Sequence, residues 1–310
     1  MVLKRHLLQL CLALFILMSA CAVSAEELEI KEFPLEREGV QLFLQRMDIP
    51  GRTTEGEILL VHGLTFASHE FDLDFQDYSL ARYLAVQGYG VWMLDIAGYS
   101  RSGEVKDGFK PDSDYAAEDI NAAVDLILKE SQTPKINLLG WSWGTVTSGR
   151  FAAKYPEKVR KLILYAPIVA GLGHHQVTES FKTDAWKGAD EDFQRGADNK
   201  IDPNLTDPGV VKLFDDNTKK YDSRPVPNGG RRDLLISGNN RLIPTAEIVN
   251  PTLLIVGDRD GYVSVKLARE AAASIPGAEL KVVEGGGHAL FMEKPHYVDF
   301  RESVVKFLRK

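Results

Sequence analysis

The segment GWSWG, residues 140–144, places one serine between two tryptophans and two glycines. It follows the apolar run INLL and precedes TVTSGRFAAKY, a pattern that indicates a strand, a tight turn and a helix. A serine hydroxyl is a weak nucleophile at neutral pH, so it needs an exposed position and a nearby base. Gly140 and Gly144 would let strand and helix approach closely and expose the serine. We therefore predict that Ser142 is a nucleophile; the alternative is a structural serine in a βα turn.

A general base is predicted near the carboxyl terminus. His288 follows VVEGGG, a buried strand that runs into a glycine loop. Loops at the carboxyl ends of strands are where α/β sheets bind ligands. We predict His288 as the base; the alternative is a histidine that only caps the last helix. His174 and His175 lack the ligand spacing of a metal site and are interpreted as solvated or substrate-facing. No metal and no cofactor are predicted.

The acid that orients the base is expected in LLIVGDRDG, where a buried strand ends at two aspartates. One of them should accept a hydrogen bond from the imidazole and fix its tautomer. We favour Asp260, which lies further out in the loop, over Asp258. The chain order is then Ser142, Asp260, His288, which differs from the orders of chymotrypsin and subtilisin.

Two backbone amides are predicted to stabilise an oxyanion. The amide of Trp143 lies at the start of the helix after the serine, where the helix dipole favours negative charge. In LLVHGLTF, Gly63 permits a sharp turn that leaves the amide of Leu64 free. We predict that His62 holds this loop as a structural residue; the alternative is a catalytic base.

The segments around these residues alternate between short apolar strands and amphipathic helices. LEIKEFPLER and VQLFLQRMDI indicate a hairpin. EILLVHG, GVWMLDI, INLLG, KLILYAP, PTLLIVG and AELKVVEG indicate buried strands, and helical patterns such as DYAAEDINAAVDLILKE lie between them. The pattern predicts the α/β class, with a mostly parallel twisted sheet and helices on both faces.

Residues 168–250 interrupt this alternation. The segment is polar, with scattered Phe and Trp and many Asp, Asn and Gly. A structureless loop of this length is improbable inside a compact domain. We predict a small helical cap, inserted after the fourth parallel-type strand, over a core formed by residues 26–167 and 251–310.

The composition is that of an ordinary globular protein. The 310 residues are 44% hydrophobic and 26% charged. A formal net charge of −7 and the lack of basic runs beyond the first few residues argue against nucleic acid as a partner.

The first 25 residues resemble a secretory signal peptide. MVLKRH supplies the positive region, LLQLCLALFILMSA the apolar region and AVSA the small residues of a cleavage site after Ala25. A membrane anchor is the alternative, but the apolar run falls short of the about 20 residues that a spanning helix needs. A second alternative is a lipoprotein anchored through Cys21. Both cysteines, Cys11 and Cys21, precede the predicted cut, so we expect an exported, periplasmic or secreted chain without cysteine, disulfide or membrane span.

From about Glu57 to its end, the chain resembles the α/β-hydrolase superfamily. HGL is similar to the oxyanion loop, GWSWG to the nucleophile elbow, GDRD to the acid loop and GGGHALFMEKP to the histidine loop. LDIAGYSRSG resembles a loop that usually reads Asp-x-Arg-Gly-x-Gly-x-Ser. Here Ala97 replaces the arginine and Ser100 the second glycine. The departure concerns loop packing and leaves the three predicted catalytic residues in place.

The resemblance implies a serine hydrolase that acts on a small-molecule ester or acyl substrate. A serine in the elbow disfavours the relatives that use a carboxylate nucleophile, haloalkane dehalogenases and epoxide hydrolases. Ser142 would attack a carbonyl while His288 takes its proton, and water would release the acid from an acyl-enzyme. Esters are the favoured substrates, and SLARYLAVQGYGVWMLDIAG resembles the same region of lipases.

Other activities stay open. GWSWG is similar to the Gly-Gly-Ser-Trp-Gly elbow of proline iminopeptidases, and the acidic GADEDFQRGAD could hold a substrate ammonium group or be a solvated cap face. Thioesters and carbon–carbon bonds are further possible targets. A binding module without activity is the remaining alternative, against which the presence of all three triad residues argues.

Overall fold

The computed structural model describes residues 27–310, so the predicted signal segment with Cys11 and Cys21 lies outside the described residues. Eight strands form one sheet in the order β1-β2-β4-β3-β5-β6-β9-β10, and β7 and β8 form a separate two-stranded pair. The strands are β1 (Glu29–Arg37), β2 (Val40–Asp48), β3 (Gly56–Val61), β4 (Tyr89–Asp95), β5 (Ile136–Trp141), β6 (Val159–Tyr165), β7 (Phe181–Lys182), β8 (Val226–Pro227), β9 (Thr252–Gly257) and β10 (Glu279–Val283).

The sheet is antiparallel at one edge and parallel elsewhere. β1 pairs with β2 and β2 with β4 in antiparallel register, whereas the pairs from β4 to β10 are parallel. The β1–β2 hairpin turns through Glu38 and Gly39, both at positive φ (51° and 78°), as a two-residue turn of the primed type requires. β4 and β5 are buried along their whole length because helices cover both faces of the sheet.

Seven α-helices are present among residues 27–310, and most of them begin at a side chain that caps the first turn. Ser79, Asp112, Asp207 and Ser264 each accept a backbone N–H two or three residues ahead. The helices are α1 (Leu80–Val86), α2 (Ser113–Ser131), α3 (Trp143–Lys154), α4 (Pro208–Tyr221), α5 (Gly229–Leu234), α6 (Val265–Ser274) and α7 (Tyr297–Leu308). This architecture confirms the predicted α/β class and its mostly parallel sheet.

The chain leaves the sheet between β6 and β9. That segment contains β7, β8, α4, α5 and two short 3-10 turns, Ala185–Gly188 and Thr245–Glu247. It packs against the core after β3: Phe214 of α4 meets Phe66 edge to face, with ring centroids 5.4 Å apart. We refer to this segment as the cap. None of the helices in residues 27–310 has the length and apolarity needed to cross a membrane.

Candidate active site

Ser142 occupies the turn that joins β5 to α3. Its backbone has φ 56° and ψ −120°, a left-handed conformation that few non-glycine residues adopt. The turn is held by the Ser142 amide, which donates to the carbonyl of Tyr165 at 3.0 Å, and by the Thr145 hydroxyl, which donates to the Ser142 carbonyl at 2.6 Å. Backbone strain of this kind costs about 1–3 kcal/mol and occurs at functional sites. Although Ser142 occupies the N-cap position of α3, its side chain does not cap the helix.

The glycines around this turn allow backbone segments to touch. A Cβ on Gly140 would lie 2.1 Å from the carbonyl oxygen of Gly144, and a Cβ on Gly144 would lie 2.4 Å from that of Val61. A Cβ on Gly63 would lie 3.0 Å from the Cβ of Ser142. Any larger residue at Gly140 or Gly144 would therefore push helix and strand apart.

His288 and Asp260 are hydrogen-bonded to each other. His288 Nδ1 lies 2.7 Å from Asp260 Oδ2, and both side chains are buried. Asp260 Oδ1 accepts the amides of Tyr262 and Val263, which leaves Oδ2 for the imidazole. With Nδ1–H donating to the carboxylate, Nε2 is left as the unprotonated nitrogen, the form that a base needs. Asp258 instead accepts the amide of Gly285 at 2.7 Å.

Ser142 and His288 line the same cavity of about 170 Å³, together with Leu64, Thr65 and Phe66. No hydrogen bond joins the serine to the histidine in residues 27–310 as the structure describes them. In enzymes without bound substrate such bonds are often long and tighten in the substrate complex.

The charges near His288 favour its protonated form. Burial alone would lower the pKa of His288, but the charge and hydrogen bond of Asp260, with further contributions from Asp192 and Glu293, outweigh burial and raise it. A base with a raised pKa becomes neutral only at higher pH. The same carboxylates would stabilise the imidazolium that forms when the serine loses its proton.

The predicted oxyanion donors lie on two sides of this site. Trp143 is the first residue of α3, and Leu64 lines the cavity. The loop before Leu64 is fixed by His62, whose Nδ1 is 2.8 Å from the Gly63 carbonyl and whose Nε2 accepts the amide of Ile96 at 3.1 Å. Burial lowers the pKa of His62. Because both ring nitrogens are occupied by backbone groups, His62 is placed to hold the loop and has no nitrogen left for a reacting proton.

Two buried carboxylates that sequence reasoning missed support the loops of this site. Glu70 Oε1 accepts the amide of Gly63 at 3.1 Å, and burial raises the pKa of Glu70 well above its usual value. Glu293 is fully buried and accepts the amide of Gly287 at 3.1 Å and Gln194 Nε2 of the cap at 2.9 Å. Burial raises the pKa of Glu293 as well. Their partners are backbone amides six or seven residues away, so the local sequence gives no signal for either role.

The two tryptophans beside the serine have different partners. Trp141 Nε1 donates to the carbonyl of His288 at 3.1 Å, and the hydroxyl of Tyr165 donates to the same carbonyl at 2.6 Å. Trp143 Nε1 donates to Ser113 Oγ at 2.9 Å. Trp141 therefore fixes the histidine loop, whereas Trp143 attaches α3 to α2.

The loop after β4 contains the two residues that depart from the family pattern. Ser100, at the position of the second glycine, has φ 43°. The amide of Ala97 donates to Asp119 Oδ2 at 3.0 Å. Arg101 of the same loop donates from Nε to Asp95 Oδ2 at 2.9 Å.

Two acidic residues of the cap, Glu191 and Asp192, line the cavity. The cap histidines His174 and His175 are exposed and lie outside it. Burial raises the pKa of Asp192 to about 6, with the charge of His288 opposing this effect and that of Asp260 adding to it. Across residues 27–310, no group of three or more His, Cys, Asp or Glu side chains is arranged to hold a metal ion.

A family model described as serine aminopeptidase, S33, matches residues 52–295, which is more than half of the chain. The chain belongs to this family of α/β-hydrolases. The resemblance noted from its motifs is thereby confirmed, and the protein is a hydrolase. The matched residues include all of the candidate site described above.

Curated relatives of this α/β-hydrolase are named for different substrate classes. This chain is 26% identical over 238 residues to a 2-hydroxy-6-oxononadienedioate/2-hydroxy-6-oxononatrienedioate hydrolase of Escherichia coli. The match covers 73% of this chain and 79% of the relative. It is 24% identical over 252 residues to an uncharacterized carboxylesterase of Bacillus subtilis, covering 81% of this chain and 78% of the relative.

Solved structures share the fold of the α/β-hydrolase. An esterase from Exiguobacterium antarcticum has a TM-score of 0.65 at 18% identity, covering 90% of this chain and 99% of the other. A bromoperoxidase from Bacillus anthracis has a TM-score of 0.68 at 18% identity, covering 91% of this chain and 100% of the other.

Proposed function

We propose that this protein hydrolyses a carboxylic ester of a small molecule, with Ser142 as nucleophile, His288 as general base and Asp260 as its orienting acid. The observation that carries the proposal is the hydrogen bond between His288 Nδ1 and Asp260 Oδ2, at 2.7 Å, in the cavity that also holds Ser142. A base oriented by a carboxylate beside a strained serine is the arrangement that acyl transfer needs.

In the proposed reaction the Ser142 hydroxyl attacks the ester carbonyl and His288 Nε2 takes its proton. The amides of Leu64 and Trp143 donate to the oxygen that becomes negative. The imidazolium then gives its proton to the departing alcohol, which leaves an acyl group on the serine. A water molecule, deprotonated by His288, releases the acid and restores the hydroxyl.

A panel of nitrophenyl esters of increasing acyl length, set beside amino-acid nitroanilides, tests the bond type. We expect ester hydrolysis that falls at least about 10³-fold in Ser142→Ala. Ser148→Ala is the matched control, because Ser148 is a buried serine of α3, the helix that follows Ser142, and its hydroxyl has no hydrogen-bond partner in the described part of the chain. Ester hydrolysis that survives in Ser142→Ala would refute the proposal.

An aminopeptidase is the second candidate. It is favoured by the carboxylates of Glu191 and Asp192 in the cavity, since these could hold a substrate ammonium group, and by the description of the matching family. The same panel separates the two functions: an aminopeptidase would cleave the anilides of free amino acids in preference to simple esters.

We also propose that the chain is exported and cleaved after Ala25. The support is the order of charged, apolar and small residues in the first 25 positions. The mass of the protein recovered from cells tests this: we expect a chain that begins at Glu26, whereas an acylated chain that begins at Cys21 would indicate a lipoprotein.

A further inference from the structure

The cavity beside Ser142 contains two cationic side chains from the cap. Lys182 ends β7 and Arg231 lies in α5, and both line this cavity. Neither belongs to an ion pair in the part of the chain that the structure describes, although most other arginines of the cap are paired with carboxylates. Unpaired cations are costly at a site partly closed to water, which suggests that a ligand supplies the missing charge.

Arg231 is held in place by neutral groups only. Its Nη2 donates to Thr65 Oγ1 at 2.9 Å and its Nε to Asn228 Oδ1 at 3.2 Å. These bonds fix the guanidinium beside the loop that carries Leu64, but they neutralise none of its charge. A guanidinium has five N–H donors, so several remain for an anion in the cavity.

Lys182 has no hydrogen bond from its ammonium group to any residue in the range 27–310. Its side chain is half-buried, and burial, followed by the charge of Arg231, lowers the pKa of Lys182. Because Lys182 and Arg231 line the same cavity, their like charges repel one another. A carboxylate placed between them would relieve this repulsion and form charge-assisted hydrogen bonds to both.

Glu191 and Asp192 of the same cavity form no ion pair with Lys182 or Arg231 in residues 27–310 as the structure describes them. The charge of Asp192 contributes to the raised pKa values of His288 and Tyr262, and burial raises the pKa of Asp192 itself to about 6. Glu191 is exposed, and its charge raises the pKa of Lys182 by less than the charge of Arg231 lowers it. Arg231 thus lies beside Thr65 of the oxyanion loop, whereas the charge of Asp192 acts on His288.

We propose that Arg231 and Lys182 bind a carboxylate group of the substrate, so that this enzyme prefers esters of dicarboxylic acids, with one acid group free, over neutral esters of the same length. The proposal rests on the proposed ester hydrolysis. A cavity of about 170 Å³ fits a short acyl chain, with the free carboxylate a few bonds from the reacting carbonyl.

The kinetic test compares nitrophenyl esters of glutaric acid, with one carboxylate free, and of valeric acid. We expect kcat/KM to favour the anionic ester by about 10- to 100-fold, as one or two charge-assisted hydrogen bonds would give. The ratio should fall about tenfold in Lys182→Gln, fall further in Lys182→Glu, and decrease with added salt. Lys200→Gln is the control, because Lys200 is a cap lysine with an 83% exposed side chain outside the cavity.

A binding measurement keeps the proposal testable if no ester is cleaved. Calorimetric titration of Ser142→Ala with monomethyl glutarate and with methyl valerate should show tighter binding of the anion, with the difference reduced in the double variant that adds Lys182→Gln. Failed turnover with retained anion binding would refute only the ester hydrolysis. Equal affinity for the two ligands, or tighter binding of a cationic amino ester, would overturn the carboxylate site.

Discussion

Single hydrogen bonds decide which of several similar residues belongs to the site. Asp258 and Asp260 are two residues apart, and only their position in the loop distinguished them before the structure was known. In the structure Asp260 contacts His288, whereas Asp258 contacts the amide of Gly285. The two tryptophans beside Ser142 differ in the same way, since their indole N–H groups have different acceptors.

The two aspartates give a matched pair of variants. Asp260→Asn should lower kcat by about 10³–10⁴-fold, because an amide in place of the carboxylate stabilises the wrong imidazole tautomer. Asp258→Asn should retain most activity, since an amide oxygen can still accept from Gly285. Steady-state kinetics on a cleaved ester measure both, and equal losses in the two variants would argue against the assignment of Asp260.

The pH dependence of kcat/KM should report the pKa of His288. The base is active when neutral, and its pKa is raised, so activity should increase with pH through a value above the ordinary histidine pKa. Asp192 is ionised above about pH 6, and its charge favours the imidazolium. Asp192→Asn should therefore move the acid limb to lower pH.

Glu191→Gln is the control for this pH profile, because Glu191 is exposed and is not among the groups that raise the pKa of His288. An acid limb that moves to higher pH in Asp192→Asn, or that moves equally in both variants, would contradict the electrostatic account.

At the scale of elements, the loops that carry the site depend on buried polar anchors. The histidine loop is held by Trp141, Tyr165 and Glu293, and the oxyanion loop by His62 and Glu70. Trp141 and Tyr165 come from distant strands, whereas His62, Glu70 and Glu293 are near in sequence to the loops that they hold. A displaced loop would move its catalytic group, and misplacement by about 1 Å can cost 10²-fold in rate.

Trp141→Phe and Trp143→Phe test this anchoring. Each removes one buried indole N–H hydrogen bond, so each should lower the free energy of unfolding by about 1–3 kcal/mol. Of the two tryptophans, Trp141 is the one that holds the histidine loop, so kcat should fall about tenfold or more in Trp141→Phe and less in Trp143→Phe. Denaturant unfolding and steady-state kinetics on the same preparations measure both effects. An equal loss of kcat in the two variants would contradict the anchoring of the histidine loop by Trp141.

The alternation of apolar strands and amphipathic helices was sufficient to predict the sheet and its helices. Burial on both faces makes strands such as β4 and β5 continuous apolar runs, and that signal is local. Glu70 and Glu293 were missed because their role depends on backbone amides that only the folded chain brings near. The same holds for Lys182 and Arg231, which are 49 positions apart in a polar segment without periodicity.

At the scale of the whole molecule, the cap is attached to the core beside the oxyanion loop. His69 Nε2 lies 2.5 Å from Asp222 Oδ2, both buried, and the ring of Tyr221 stacks on that of His69. Asp222 directly follows α4, whose Phe214 packs on Phe66. These contacts hold one end of the cap over the cavity that contains the candidate site.

Asp222→Ala should loosen this attachment. It leaves His69 without its buried partner, so we expect a loss of about 1–3 kcal/mol in the free energy of unfolding and faster amide exchange in α4. Asp216→Ala is the control, because Asp216 forms an exposed pair with Lys212 of the same helix and such pairs contribute about 0.3–0.5 kcal/mol. Unchanged exchange in α4 of Asp222→Ala would show that the pair does not hold the cap.

The central claim is that Ser142 is an activated nucleophile. The most direct measurement is labelling of the folded protein with a fluorophosphonate, followed by intact mass and peptide mapping. We expect one adduct per chain, located on Ser142, with labelling abolished in Ser142→Ala, reduced in His288→Ala and retained in Ser148→Ala. Folded protein that takes up no label, or an adduct that persists in Ser142→Ala, would contradict it.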